Sequence, residues 1–223
     1  MNRTNRESND SADCDTLARC LHQLASSIRG SSDRAWSRNA AVRVIDCVLS
    51  LNRRYDSFVV PRLDRFEREH TAICSVSDLH ALMTNYSSPD DFVVRVLRYR
   101  HEERAATLKG VVEWLITVSG GGKYAQQLAN LERWANQAQP ADHASLRIRG
   151  FGLAGFQYLR MLFDANTSKP DTHIRRYVGS CVGHSVSDVQ ALKLLECAAV
   201  KAAVMLRDLD TTIWERSARK QAW

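Results

Sequence analysis

The stretch Lys169–Pro170–Asp171–Thr172–His173 sets a carboxylate and an imidazole at what reads as the first turn of a helix. A carboxylate fixed there can accept the orphan backbone N–H groups of the helix start. It can also stabilise positive charge that develops beside it, or activate a water molecule. Upstream, Ser145 to Phe163 reads as a short helix, a tight turn holding Gly150 and Gly152, and a longer helix bearing Phe156, Leu159 and Phe163. Two glycines one residue apart let the backbone turn sharply and leave several amides facing one side, which is how a helix start becomes an anion site. Arg147 and Arg149 flank the turn and raise the positive potential, as a DNA phosphate requires. Each feature also has a plain structural reading: an N-cap for Asp171, a simple turn for the glycines.

Around these groups, His173 and Arg175 read as solvated or phosphate-facing, and Ile174, Tyr177, Val178 and Cys181 as the buried stripe of the same helix. Ser50–Leu51–Asn52–Arg53 is either an ordinary helix C-terminus or a loop whose side chain fills the gap left by an extruded base. Trp114, Trp134 and Trp214 sit at helical spacing and read as core. Cys14, Cys20, Cys47, Cys74, Cys181 and Cys197 are scattered, with no CxxC pair and no closely spaced set of four. Neither a zinc or iron–sulfur site nor a disulfide is implied.

With 44% apolar and 25% charged residues, the 223-residue chain can bury one sizeable core, or two small ones sharing an interface. No apolar run approaches the roughly 20 residues needed to cross a bilayer, and the first dozen residues are polar with no signal-peptide core after them. The expected location is cytoplasmic, with no membrane partner. The net charge of +6 leans towards a polyanionic partner. Lysine occurs at six positions only, which leaves 25 arginines, and the planar guanidinium suits bidentate grip on phosphate.

Apolar residues recur at helical spacing almost throughout, and strand alternation is absent. Leu17, Cys20, Leu21, Leu24 and Ile28 form a first stripe closed by Gly30, and Ala41, Val44, Ile45, Val48 and Leu49 a second. Ser88 with Pro89 and Asp91 marks a helix start. Gly120 to Gly122 end the helix carrying Ala105, Leu108, Val112 and Leu115. Tyr124, Leu128, Leu131 and Ala135 carry another, and Ser187 with Gln190 offers a capping box for a late helix through Leu206.

Taken together, "IRGFGLAGF" and "PDTHIRRYV" resemble, in order and spacing, the helix-hairpin-helix DNA glycosylase superfamily. Its endonuclease III-like members read roughly L-P-G-[VI]-G-x-x-T-A at the hairpin and V-D-T-H-[VI]-x-R-[VL] downstream. "AVRVIDCVLSLNRRYD", Ala41 to Asp56, is similar to the family's early helix and its L-S-x-Q/N-type loop. "YRHEERAATLKGVVEWL", Tyr99 to Leu115, and "LDTTIWERSAR", Leu209 to Arg219, resemble two further family segments. The resemblance spans roughly residues 38–218, and the hairpin with its D-T-H is the specific part.

The resemblance implies an all-α fold of two helical lobes with a DNA-binding cleft between them and a helix-hairpin-helix near residues 143–164. The expected layout is a disordered tail over 1–12, a discontinuous lobe of 13–54 plus 166–223, and a second lobe of 55–165. It implies Asp171 as the catalytic carboxylate. Arg147, Ile148, Arg149, Gly150, Phe151 and Gly152, with Lys169, His173, Asn52 and Arg53, become the residues that touch DNA. The Ile148 and Gly150 carbonyls would hold a monovalent cation.

Three departures shape the expected chemistry. Bifunctional members carry a Schiff-base lysine where this chain has Ala154, so lyase chemistry by that route is not expected. The C-terminal cysteine cluster is missing, so no iron–sulfur cofactor is expected. Gly155 and Phe156 replace a threonine and an alanine, and Arg149 replaces a proline, so packing at the hairpin must differ. The expected activity is monofunctional hydrolysis of the N-glycosidic bond of a damaged, mismatched or modified base flipped from double-stranded DNA, by a monomer without a small-molecule cofactor. The alternatives are a catalytically silent DNA-binding protein on the same scaffold and a helical protein-interaction module.

Overall fold

The computed structural model describes residues 3–24, 28 and 37–218. Among them are twelve α-helices, one π-helical turn and one 3-10 turn, with no strand, so the fold is all-α. The chain divides into two compact units, one of residues 1–32 with 166–223 and one of residues 33–165. The first is the flanking unit and the second the insert unit. Gly30 and Arg219, named above, lie outside the described residues.

The insert unit is built around α2 (Ala40–Leu49), nine of whose ten residues are buried. A helix that is apolar nearly all round can only be stable inside other helices. Asn39 caps its start by accepting the Val42 N–H, and the Arg104 guanidinium donates to the Val48 and Leu49 carbonyls at its end, both at 3.0 Å. Against it pack α3 (Val60–Glu69), α4 (Val76–Thr84), α6 (Glu102–Ser119) and α9 (Leu153–Leu162), and the unit is completed by the π-helical turn Tyr55–Val59, α5 (Pro89–Arg95), α7 (Tyr124–Gln137) and α8 (His143–Leu146). Ser88 caps α5 by accepting the Asp91 N–H, and α6 ends at Gly120 with φ 66°, as the sequence predicts. Trp114 and Trp134 meet edge to face at 5.0 Å, with Phe156 at 5.8 Å from Trp134, and so belong to the core. The one carboxylate in α2, Asp46, is fully buried and accepts the Tyr55 hydroxyl at 2.8 Å and the Tyr158 hydroxyl at 3.2 Å.

The packing places α2 in the insert unit, whereas the layout implied by the resemblance puts 13–54 in the flanking lobe. Its all-round burial explains this, because the apolar pattern carries no directional cue about which neighbour it serves.

The flanking unit consists of α1 (Arg3–Leu24), α10 (Thr172–Val182), α11 (Asp188–Ala202) and α12 (Leu206–Ala218). Leu17, Leu21, Ile174, Val178, Leu195, Leu209 and Ile213 form its core. Ser187 and Gln190 form the expected capping box. α1 starts at Arg3, inside the segment expected as a disordered tail over 1–12, and continues without glycine or proline into its packed part. One expectation is corrected here. Cys14 and Cys197, expected as separate residues, are joined in a disulfide that ties α1 to α11. Cys20 and Cys181 remain thiols. Burial, with the Cys20 thiol beside it, pushes Cys181 up to about 12. No helix among the described residues is long and apolar enough to cross a membrane.

Candidate functional site

The glycine turn lies between α8 and α9. Arg147 ends α8 in the left-handed region at φ 51°, and the Phe151 N–H closes the turn onto the Ile148 carbonyl at 3.1 Å. Gly150 has φ +79°, and a Cβ there would stand 2.9 Å from Thr107 Oγ1. The Thr107 hydroxyl bridges the Glu103 and Arg149 carbonyls, each at 2.8 Å, so it has no freedom to retreat. Gly150 is therefore demanded by the fold. Gly152 is not: its φ is −90°, and no described atom lies within 4 Å of where a Cβ would be. It opens α9 as the N-cap residue, with its backbone facing open space.

The side chains of the turn divide in two. Ile148 rests on Gly110 of α6, where a Cβ would stand 3.1 Å from its methyl group. The Phe151 ring is only 4% exposed and lies over Gly155, where a Cβ would stand 3.0 Å from the ring. That close approach leaves no room for a side chain at Gly155. It also limits Phe151, expected above to touch DNA, to offering its backbone. Arg147 and Arg149 are exposed, and Arg149 pairs with Glu103 at 2.6 Å in open solvent, where such a pair adds little stability.

A Cβ at Gly155 would also stand 3.1 Å from Leu51 Cδ2, so the 50–54 loop and the glycine turn are neighbours in the insert unit. Asn52 sits in the left-handed region at φ 55°, which asparagine tolerates well, and Arg53 is exposed beside it. Asn52 and Arg53 are thus grouped with Arg147 to Gly152.

Asp171 belongs to the flanking unit and caps α10: its Oδ1 accepts the His173 N–H at 2.8 Å and the Ile174 N–H at 3.3 Å. The turn that presents it is held by a residue that the sequence does not single out. Asp210 of α12, 8% exposed, accepts both the Ser168 hydroxyl at 2.6 Å and the Lys169 N–H at 2.8 Å on Oδ2. Burial, reinforced by the charge of Asp171, pushes the Asp210 carboxyl up to about 7. Two carboxyl groups in one site with environments that separate them are an arrangement acid–base sites share. Nothing in "RDLDTTIW" signals this, because the partners of Asp210 lie 42 and 41 residues away. Lys169 is half-buried, and His173 places Nδ1 2.5 Å from Ser217 Oγ, which fixes the ring against α12.

A family model for a domain of unknown function, DUF8548, matches residues 15–218. The chain belongs to the DUF8548 family. No curated protein and no solved structure matches it. The span matched in this DUF8548 chain takes in the glycine turn, the 50–54 loop, Asp171 and Asp210 alike.

Proposed function

We propose that this DUF8548 protein is a monofunctional DNA glycosylase that grips duplex DNA with the turn at Arg147 to Gly152 and uses Asp171 to hydrolyse a glycosidic bond. The observation that carries the reading is Gly152. Neither backbone strain nor a packed neighbour requires glycine there, and an approaching phosphate would. The groups that touch DNA on this reading are Arg147, Arg149, the Ile148–Gly152 backbone, Asn52, Arg53, Lys169 and His173. A monovalent cation fits the turn, since the Ile148 carbonyl keeps a second lone pair beside the Phe151 N–H, and Gly150 would add its own carbonyl. That ion would supply a bridge to phosphate.

As the glycosidic bond breaks, its electron pair leaves with the base and positive charge builds on the sugar. The Asp171 carboxylate would stabilise that charge while water bonds to the anomeric carbon and its proton passes to the departing base anion, leaving the free base and an abasic sugar. The reading takes with it the cleft expected between two helical lobes, into which the base would be rotated. The silent DNA-binding alternative is favoured by one observation: both hydrogen bonds of Asp171 Oδ1 go to the amides of its own helix. Incubation with duplexes carrying a panel of damaged, mismatched and modified bases, followed by alkaline cleavage, separates the two. Abasic sites formed by the parent and lost in Asp171→Asn support hydrolysis, and equal yields from both proteins overturn it.

A further inference from the structure

The insert unit holds a group of arginines that the glycine turn does not account for. The Phe58 ring carries two guanidinium groups, Arg62 at 3.9 Å and Arg53 at 5.4 Å from its centroid, and meets Tyr99 edge-on at 5.4 Å. Arg62 donates to the Phe58 carbonyl at 2.8 Å, and Arg104 to the end of α2. Arg98 and Arg100 flank Tyr99 and are exposed. Among the described residues none of these five arginines forms an ion pair, although Arg38, Arg65, Arg95 and Arg149 of the same unit all do.

We propose that Arg98 and Arg100, with Arg53 of the 50–54 loop as the shared member, form a second phosphate-gripping surface, for the backbone of duplex DNA, mounted on the Phe58–Tyr99 pair and buttressed by Arg62 and Arg104. Gathering cations that are not ion-paired with a carboxylate is unfavourable unless an external anion completes the set. Burial lowers the proton affinity of both Arg62 and Arg104, and a neighbouring arginine adds to each effect. Arg98 is held at φ 57°, a region that a residue with a long side chain rarely adopts and that concentrates at binding surfaces.

The Tyr99 hydroxyl is buried without a hydrogen-bond partner, and burial pushes it up to about 12, so it keeps its proton and adds no negative charge to the surface. Tyr99 lines a cleft of about 540 Å³ together with Asp90, Asp91, Arg98 and Arg100. Phosphodiester oxygens accept hydrogen bonds and offer none, so they match Arg98 and Arg100 and are repelled by Asp90. Exposed cations on an open surface grip a polymer through several screened interactions, whereas a small free anion needs enclosure.

The inference rests on the duplex-binding half of the reading above and is independent of hydrolysis. The test is the salt dependence of binding to a fluorescent duplex, for the parent, Arg53→Gln/Arg98→Gln/Arg100→Gln, Gly152→Asp, and the charge-matched control Arg65→Gln/Arg68→Gln/Arg133→Gln. The expected result is a slope of log affinity against log salt smaller by about 2 to 3 in the first variant, at about 0.9 for each phosphate no longer neutralised, and smaller by less than about 1 in the control. An equal change in the control overturns the inference in favour of net charge. An unchanged slope in the first variant, with binding abolished in Gly152→Asp, overturns it and leaves the glycine turn standing. A parent that binds no duplex at low salt overturns both. Displacement of the duplex by millimolar inorganic phosphate or a nucleoside monophosphate at matched ionic strength would reassign the surface to a small anion.

Discussion

The Thr107 hydroxyl lies 2.8 Å from the Arg149 carbonyl and would lie 2.9 Å from any Cβ at Gly150. The glycine turn is thus locked to α6 by one side chain whose hydroxyl is committed to two carbonyls. Gly150→Ala is expected to destabilise the protein by about 1–3 kcal/mol, the strain of a left-handed alanine plus the clash. Gly152→Ala is expected to change stability by less than about 0.5 kcal/mol, because its φ is ordinary and its Cβ has space. Urea titrations of both variants check this, and equal losses would show that the two glycines serve the fold alike.

Asp210 gives a pH-dependent prediction. Its folded value of about 7 lies above the usual carboxylate range, so between roughly pH 4 and 7 the unfolded chain releases a proton that the folded chain keeps. Stability is lost as pH rises through that window and levels off above it, by an amount on the order of 4 kcal/mol. The groups facing this carboxyl are Ser168, Lys169 and Asp171. Asp210→Asn, whose side-chain carbonyl still accepts from Ser168 and Lys169, is expected to melt above the parent at pH 8 and close to it at pH 4. Asp171→Asn should shift the Asp210 titration to lower pH, read from the side-chain carboxyl carbon by NMR.

Joining Cys14 to Cys197 closes a long loop in the unfolded chain. The Cys14→Ser/Cys197→Ser variant should lose about 2–5 kcal/mol under non-reducing conditions. The parent with and without reductant should reproduce that difference in thermal melts, and an absent difference would mean that the two sulfurs are not bonded in solution.

Tyr55 and Tyr158 both donate to the buried Asp46 carboxylate. Tyr55→Phe removes the shorter bond and leaves a buried acceptor short of a donor, at a cost of about 1–3 kcal/mol in denaturant titrations.

The helices were legible because their signals are local. Ser88 and Ser187 sit at the ends they mark, and apolar spacing repeats within each turn. The glycine turn and the cap at Asp171 were legible for the same reason. The position of α2 was not, since burial on all sides erases the stripe that would point to its unit. Asp210 and the Cys14–Cys197 bond were invisible because each joins segments far apart in the chain, and neither residue type announces a distant partner. Nothing in the sequence singles out Arg98 and Arg100, because only the fold reveals that Tyr99 between them leaves its hydroxyl without a partner.

The bond between Cys14 and Cys197, 183 residues apart, also makes the whole insert unit part of a covalent ring. A protease that cut once anywhere between residues 33 and 165 would produce two polypeptides that still travel as one mass on a gel. They would part only after a thiol is added, so counting fragments with and without reductant tells whether each exposed cleavage point lies inside the ring or outside it.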